Sequence, residues 1–286
     1  MAIDYDKLMN RKFERLEHTY TEKDTILYAL GVGMGIDPLD EDCLKFVYED
    51  GLKAMPSMAN VLAYPGFWAK EPDTGIDWVK ILHAGQEMIM HKPLPAAGTV
   101  EATTKINEIV DKGEGRGALI YVEREIHDKA SGRHIATSIT TTFARADGGF
   151  GGPDGPSLPV HQLPDRAPDM VDEVRTLPQA ALIYRLSGDS NPLHASPAVA
   201  KQAGFHAPIL HGLCSYGVAG WSILRSCCCG DPARLKQFDL RFSSPVFPGE
   251  TLRTEIWRDG EDVSFRTSVA ERDTVVLNNG FARIAA

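Results

Sequence analysis

The sequence has no long apolar run that could cross a membrane. A spanning helix needs about 20 consecutive apolar residues, and no stretch of these 286 residues approaches that composition. The chain turns polar at Asp4 and does not begin like a secretory signal, and its last residues are not a peroxisomal address. We therefore expect a cytoplasmic protein with no membrane partner.

The sequence also lacks an excess of basic residues. Lys and Arg number 30 against 39 Asp and Glu, which gives a net charge of −9. Nucleic acids are bound largely through their phosphates, and phosphate binding requires a basic surface. We expect no nucleic-acid partner, although a local basic groove for a phosphorylated small molecule stays compatible with this charge.

Cysteine is scarce, and the five cysteines show none of the Cys-x-x-Cys spacing that is typical of zinc sites. Three of them are adjacent, Cys227, Cys228 and Cys229, near the end of a segment rich in small and apolar residues. This arrangement favours packing in the core of a protein from a reducing compartment over a metal or redox site.

What the sequence does contain is a pattern of helix followed by strands, and this pattern occurs twice. Thr21 opens a helical segment and residues 55–64 resemble a buried helix, before strand-like runs at 99–111, 118–128 and 134–146. In the second half a long apolar helix at 211–228 precedes strand-like runs at 235–242, 251–258, 263–270 and 274–284. Residues 148–169 between the halves are rich in Gly and Pro, which predicts a linker.

Short similarities between the halves indicate a duplicated unit. Ile26-Leu-Tyr-Ala-Leu-Gly31 aligns with Leu182-Ile-Tyr-Arg-Leu-Ser187, and Phe143-Ala-Arg145 aligns with Phe281-Ala-Arg283. We therefore predict a first domain at residues 1–147, a linker at 148–169 and a second domain at 170–286.

One stretch of the second half, residues 187–194, carries groups suited to catalysis. It places a carboxylate, an amide and an imidazole within six residues, at Asp189, Asn191 and His194. Its Gly and Pro residues favour a bent backbone, which can direct Asp189 and His194 into one small volume, as acid–base catalysis requires. The aligned residues 31–40 of the first half contain no equivalent pair.

A second stretch, Ile209-Leu-His-Gly-Leu-Cys-Ser215, leads into the long apolar helix. Gly212 stands near the start of that helix, where free backbone N–H groups can stabilise a developing negative charge. The preceding His211 is interpreted as a structural residue that caps the helix. His194, His206 and His211 do not have the spacing of a standard metal site.

These two stretches resemble the hydratase 2 motif of MaoC-like (R)-specific enoyl-CoA hydratases. The resemblance extends over nearly the whole chain and to the two-domain form found in peroxisomal multifunctional enzyme type 2, through Lys92-Pro-Leu-Pro95, Asp111-Lys-Gly113, Gly148-Gly-Phe-Gly-Gly152 and Pro245-Val-Phe-Pro-Gly249. Ala84-Gly85 departs from the Gly-Glu that usually precedes the Gln in this family. The resemblance implies an α+β double hot-dog fold, in which each of two tandem units wraps a long helix in an antiparallel sheet.

The resemblance also implies a reaction, the reversible syn hydration of trans-2-enoyl-CoA to (3R)-3-hydroxyacyl-CoA in fatty-acid or related acyl-CoA metabolism. Asp189 and His194 would supply the acid and the base, in an order that the sequence leaves open. Asn191 would hold the water and the Gly212 N–H would bind the thioester oxygen. No metal is implied, and no cofactor beyond the CoA of the substrate. Substrate contacts are expected at His83, Ala84, Lys112, Ser190, Pro192, Leu193 and Phe242, with Lys112 suited to a CoA phosphate.

The first half, without an acid–base pair, is expected to bind the acyl chain. Glycines at 31, 33 and 35 could open a tunnel, with apolar walls from Met55, Met58, Leu62 and Phe67. This predicts medium-chain or long-chain substrates. The alternatives are a hydratase or dehydratase of a branched, sterol-derived or carboxylated acyl thioester, a non-catalytic acyl-CoA-binding protein and a thioesterase. Two fused hot-dog units reproduce one dimer, and further pairing into a homodimer stays open.

Overall fold

The computed structural model describes residues 3–155 and 159–285, and its main feature is one antiparallel sheet of ten strands. The strands are β1 (Leu16–Tyr20), β2 (Ile81–Met90), β3 (Gly98–Asp111), β4 (Ala118–Asp128), β5 (His134–Ala144), β6 (Met170–Arg175), β7 (Leu235–Phe242), β8 (Thr251–Asp259), β9 (Asp262–Val269) and β10 (Thr274–Ile284). All seven strand-like runs that the sequence predicted are strands. Their alternation of buried and exposed residues is typical of sheets with one face against a core.

The strand order reveals the duplication. It runs β1-β3-β4-β5-β2 and then β7-β10-β9-β8-β6, so the second unit repeats the first in reverse about the β2–β7 boundary. At that boundary Gly85 pairs with Arg241 and Gln86 pairs with Leu240, which joins the two units into one sheet. The predicted α+β double hot-dog architecture is confirmed.

Six α-helices lie beside this sheet in the described residues: α1 (Tyr5–Met9), α2 (Glu22–Gly31), α3 (Glu41–Val47), α4 (Ala180–Tyr184), α5 (Pro197–Gln202) and α6 (Gly212–Cys227). The long helix α6 is buried over most of its circumference and packs on β6, β7, β8 and β10. Thr21 begins α2 with a capping box to Asp24, and Ser196 caps α5. None of the described helices is long and apolar enough to span a membrane.

In its described residues, 3–147, the first unit does not contain the long helix that the double hot-dog resemblance led us to expect. Residues 55–64 form a 3₁₀ helix at Pro56–Asn60 followed by turns. Ala63 has a φ of +47°, and Pro65 disfavours helical geometry at Tyr64, so the helix cannot continue. The short helix packs against α6, where Ser57 faces Gly220.

The two copies of the repeated motif meet at the boundary between the units. Tyr28 and Tyr184, which occupy equivalent positions in the repeats, have ring centroids 5.8 Å apart. A Cβ added at Gly31 would lie 3.4 Å from the Tyr184 Cα, so the absence of a side chain permits close packing of α2 on α4. One apolar core runs through both units, as its buried residues come from each.

The cysteines follow the expected pattern with one exception. All five are free, and Cys43, Cys214, Cys227 and Cys228 are buried. Cys229 is exposed, because it occupies a left-handed position just after the end of α6. Core packing is therefore the role of four of the five.

The glycine-rich segment that follows β5 is anchored to the end of β3. The carboxylate of Asp111 accepts hydrogen bonds from the backbone N–H groups of Gly113 (2.9 Å), Gly149 (2.7 Å) and Gly151 (2.9 Å). Burial opposes ionisation of Asp111, but these N–H donors outweigh it and hold the pKa of the carboxyl below its usual value. One buried carboxylate thus fixes the chain as it leaves the first unit.

We predict that Asp111→Asn lowers the free energy of unfolding by about 2 kcal/mol at neutral pH, because charge-assisted hydrogen bonds to a buried group are lost. A folded-state pKa below the unfolded value gives stability that is present above the unfolded pKa and is lost as the pH falls through the folded pKa. The difference between the wild type and the variant should therefore shrink below about pH 4. Urea unfolding across pH 3–7 measures it, with the exposed Asp50→Asn as the control. Equal stability of Asp111→Asn and wild type at pH 7 would contradict the anchoring role.

Candidate active site

The bend between α4 and α5 carries the predicted acid–base residues. A 3₁₀ turn at Arg185–Ser187 ends at Gly188, whose φ is +119°, and a second 3₁₀ turn spans Pro192–His194. The Asp189 carboxylate accepts a hydrogen bond from the Asn191 N–H at 3.0 Å. The Asn191 side-chain oxygen accepts one from the Leu193 N–H at 3.0 Å. These local bonds of Asp and Asn shape the bend and leave both side chains at its surface.

His194 is buried at the end of this bend and has a defined tautomer. Its Nδ1 lies 2.8 Å from the backbone oxygen of Ile209. A carbonyl oxygen only accepts, so Nδ1 carries the proton and Nε2 is left with a lone pair. Burial lowers the pKa of His194, while the Ile209 carbonyl and the charge of Asp189 oppose that effect. The ring is therefore neutral at neutral pH and can accept a proton.

His211 joins this pair, although the sequence interpretation made it a helix cap. Its backbone does precede α6, but its side chain makes no capping hydrogen bond. Its ring stacks on His194 with centroids 3.8 Å apart, and its Nε2 donates to the backbone oxygen of Asp189 at 3.2 Å. Burial and the neighbouring His194 lower the pKa of His211 to about 4. His211 thus connects the segments that carry Asp189 and His194, a link that the sequence pattern did not reveal.

Asp189, His194 and His211 converge on one point. Each offers one ligand-type atom, and these three atoms lie within 4.8 Å of one another. His206, which the sequence also raised as a metal ligand, lies elsewhere and packs against the ring of Phe247 at 4.1 Å. The convergence suits either proton transfer or a metal ion. The Nδ1 of His194 and the Nε2 of His211 donate to backbone oxygens, so the lone pairs that remain are on His194 Nε2 and His211 Nδ1.

Gly212 is the first residue of α6, and Phe242 at the end of β7 lies against it. A Cβ at Gly212 would lie 3.2 Å from the Phe242 ring, so even an alanine would crowd that ring. The N–H groups of the first helical turn lack acceptors within the helix, and the helix dipole makes this end favourable for negative charge. The start of α6 can therefore receive an oxygen that gains charge.

His83 brings the first unit to the same place. Its ring lies 4.5 Å from the ring of Phe242, because β2 and β7 are neighbours in the sheet. Its Nε2 is buried without a hydrogen-bond partner among the described residues, and burial lowers the pKa of His83 to about 4. A register shift falls between His83 and Gly85, so Ala84 lies at an irregularity of β2. His83, Gly212 and Phe242 are thus neighbours.

The other predicted substrate contacts are distributed around this centre. Ser190, Asn191 and Pro192 are exposed, and Leu193 is half-buried. Lys112 is farther away and lies just beyond the end of β3. Across the neighbouring strands, Asp111 pairs with Ala118, Ala118 with Ala144 and Ala144 with Ile81. This end of β3 is therefore level with the end of β2 that carries His83. Three strand spacings separate β3 from β2, about 14 Å. Lys112 could therefore contact only a distant part of an extended ligand.

Sequence reasoning placed Tyr64 only in a buried helix. It is 51% exposed, and the centre of its ring lies 5.7 Å from the guanidinium carbon of Arg124. The ring contact between His83 of the first unit and Phe242 of the second puts the candidate site between the two units.

Comparison with known proteins gives the same division of the chain. Residues 159–279 match the family model of the MaoC like domain. Residues 18–146 match the model of the MFE-2 hydratase 2 N-terminal domain. The two units that share one sheet thus correspond to two recognised domain types.

Three similar proteins match this chain over almost their full length. A 3-hydroxyacyl-thioester dehydratase Y of Mycobacterium tuberculosis is 41% identical over 297 residues, which cover 100% of both chains. A peroxisomal enoyl-CoA hydratase 2 of Arabidopsis thaliana is 38% identical, over 95% of this chain and 93% of its own. The crystal structure of a MaoC-like dehydratase from Phytophthora capsici superposes with a TM-score of 0.86 at 35% identity, over 98% of each chain.

Identity at this level over whole chains, together with the strand order and the bend at residues 187–194, is sufficient to assign the family. The chain belongs to the MaoC-like dehydratases, in the two-domain hydratase 2 form.

Proposed function

We propose that this protein catalyses the reversible syn addition of water to a trans-2-enoyl-CoA, which gives the (3R)-3-hydroxyacyl-CoA. The observation that carries the proposal is the convergence of the Asp189 carboxylate and the His194 imidazole within 4.8 Å, beside the N-terminus of α6. Membership of a family with enoyl-CoA hydratases and 3-hydroxyacyl-thioester dehydratases supports both the reaction and its reversibility.

In this proposal a water molecule lies between Asp189 and His194. Its oxygen forms a bond to C3 while one of its O–H bonds breaks, and the released proton passes to whichever of the two groups acts as the base. The electron pair of the C2–C3 double bond moves toward the thioester oxygen, which gains negative charge. When the enolate collapses, the proton released by the water is delivered to C2 by the Asp189–His194 pair from the same side, so both new bonds form on one face and no proton is left over.

Two further residues have supporting roles in this step. The N–H of Gly212 would donate to the thioester oxygen as its charge develops, reinforced by the dipole of α6. The side-chain oxygen of Asn191 is engaged by the Leu193 N–H, which leaves its amide N–H₂ free to orient the water. His211 would act as a positioning residue, because it is bonded to the backbone of Asp189 and stacked on His194.

The CoA portion of the substrate is assigned to the surroundings of this centre. His83, Ala84 and Phe242 would contact the thioester side, with Ser190, Pro192 and Leu193 on the bend. Lys112 would bind a phosphate at the far end of the extended CoA. The proposal needs no cofactor other than this CoA.

The acyl chain is assigned to the first domain, residues 1–147, and the chemistry to the second, residues 170–286. The first unit has the short 3₁₀ helix Pro56–Asn60 where a long helix was expected. Less helical backbone therefore occupies the interior beside α6, which supports this division. Met55, Met58 and Leu62 are buried there and would supply apolar walls, whereas Phe67 is 46% exposed and could contact only the entrance. The crevice that Gly31 and Gly33 line against α6 is too narrow to admit a water molecule, so these glycines serve close packing and the acyl chain would have to pass beside Met55, Met58 and Leu62 instead.

A non-catalytic acyl-CoA-binding protein is the main alternative of another class. The retention of both Asp189 and His194, with a defined tautomer at His194, favours catalysis. A thioesterase would release free CoA, which an assay for thiols distinguishes from hydration. A cytoplasmic location completes the proposal, and pairing into a homodimer stays open. Relatives include a peroxisomal protein, so the location needs imaging of the tagged protein in its own cell.

We expect Asp189→Asn and His194→Ala each to lower kcat by at least about 100-fold, the usual contribution of one positioned acid or base. Loss of the conjugated-thioester absorbance of an enoyl-CoA measures the rate. Asp37→Asn, in the aligned segment of the first unit, and His206→Ala, outside the site, are the matched controls and should retain activity. Dialysis of the wild type against a chelator should leave kcat unchanged. Near-normal turnover of either folded site variant would refute the assignment.

The acid limb of kcat/KM should lie below pH 6.5, the usual pKa of histidine. The lowered pKa of His194 keeps the ring neutral, and able to accept a proton, as the pH falls past 6.5. His211, with a pKa of about 4, stays neutral throughout this range. Initial rates at subsaturating substrate from pH 5 to 8 give the profile. An acid limb centred above pH 6.5 would contradict a neutral buried His194.

We expect turnover of enoyl-CoAs of about eight carbons or more, because the first unit has no acid–base pair and is assigned to the acyl chain. A series of trans-2-enoyl-CoAs of increasing length measures this preference, and chiral analysis of the product checks the R configuration. A protein restricted to the four-carbon crotonyl-CoA would contradict the role of the first unit while leaving the hydratase proposal intact.

A further inference from the structure

The interior of the first unit contains a buried arginine. Arg124 lies on β4, and only 6% of its surface is exposed. Arginine is seldom buried to this extent unless a carboxylate or phosphate compensates its charge, because desolvation of an ion is costly. Because Arg124 lies in the unit that is assigned to the acyl chain, its charge is positioned to act in substrate binding.

No carboxylate compensates this charge. Arg124 forms no ion pair with any of the described residues. Its Nη2 donates to the backbone oxygen of Asn60 at 2.6 Å and lies 3.5 Å from that of Ala59. Its Nε is buried without a hydrogen-bond partner in the described part of the chain. Burial lowers the pKa of Arg124 to about 10, with the nearby Tyr64 as the sole opposing influence, so the group stays charged at neutral pH.

Two contacts relate Arg124 to the active site. Its guanidinium carbon lies 5.7 Å from the centre of the Tyr64 ring, and Tyr64 is 51% exposed. Asn60, whose backbone oxygen binds Arg124, is bonded through its side chain by Gln86 of β2, the strand that also carries His83. A ligand that reacts beside His83 and extends along β2 into the first unit would therefore approach the guanidinium.

The bond to Asn60 joins Arg124 to a group of polar side chains. Asn60, whose backbone oxygen binds Arg124, has its side-chain oxygen bonded by Ser138 (2.8 Å) and Gln86 (3.2 Å). Thr140 donates to the Gln86 side-chain oxygen at 3.1 Å. These groups satisfy one another and leave the Nε of the arginine as the buried donor without a partner among the described residues. A plain alkyl chain would leave that donor unpaired.

We propose that Arg124 selects acyl chains that carry a carboxylate at their distal end, so that the favoured substrate is an enoyl-CoA with an ω-carboxyl group. A planar guanidinium presents paired N–H donors that match the two oxygens of a carboxylate, and here the buried Nε–H, one donor of the side-on pair, has no partner among the described residues. The bound carboxylate would supply the counter-ion that Arg124 lacks, and it would lose its own hydration when it binds. This inference rests on the proposed hydratase activity and names its substrate class.

A purely structural role of Arg124 makes a different prediction. If Arg124 only closed the C-terminal end of the 3₁₀ helix through the Asn60 and Ala59 carbonyls, its removal would affect all substrates alike. A role in selection changes the ratio of kcat/KM between a carboxylated substrate and its uncharged counterpart of the same length. The ratio is therefore the decisive measurement, because it is insensitive to a general loss of folded protein.

The experiment uses pairs of trans-2-enoyl-CoAs of about 6, 8, 10 and 12 carbons, each with a terminal methyl or a terminal carboxylate. The wild type should favour the carboxylate member of at least one pair by about 10- to 100-fold in kcat/KM, as expected for a charge-assisted hydrogen bond in a buried site. Arg124→Met should abolish or reverse that preference, because an apolar side chain of similar length suits the methyl terminus. Arg124→Lys should retain part of it.

Arg266→Met is the matched control, since Arg266 is half-exposed and paired with Glu255 on the outer part of the second unit. It should leave the ratio unchanged. Thermal shifts with saturated acyl-CoAs of both kinds provide a readout without turnover, and should show stronger stabilisation by the carboxylate form only when Arg124 is present. Equal kcat/KM within every pair for the wild type, or the same ratio in Arg124→Met as in the wild type, would overturn the inference. Absence of hydration of every substrate would instead overturn the proposed function.

Discussion

Pairing of β2 with β7 is the interaction on which the rest of the structure depends. It joins two five-stranded halves into one sheet and fixes their relative position through backbone hydrogen bonds. His83 on β2 and Phe242 on β7 are brought into ring contact by this pairing alone. Phe242 in turn lies against Gly212, at the start of the helix that the second half encloses. Without the shared ladder, the residues of the candidate site would belong to two separate surfaces.

Much of this arrangement could be predicted from the sequence, because the relevant signals are local. The strands alternate between core and surface, and this period is visible along each run. Asp189 and His194 are separated by one short bend, so their proximity follows from turn-forming residues between them. Helix α6 is apolar on nearly all sides, and that composition indicated a helix enclosed by a sheet.

The remainder depended on contacts between distant parts of the chain. His211 has the local appearance of a helix cap, and only the fold stacks it on His194. The segment after Met55 has the composition of a helix, but Pro65 and the left-handed Ala63 end it early. The residues around Arg124 follow the pattern of an ordinary strand. The sequence therefore gives no indication that the charge of Arg124 is buried without a carboxylate.

The reversed repeat of the strand order in the second unit has a consequence for the substitutions that the chain can accept. In a homodimer of identical hot-dog units, every substitution appears on both sides of the twofold axis at once. Fusion removes that restriction, so the half around Arg124 and the half around Asp189 can change independently while the β2–β7 ladder keeps them together. An altered acyl group can then be accommodated by substitutions in one half without any change to the residues that handle the proton.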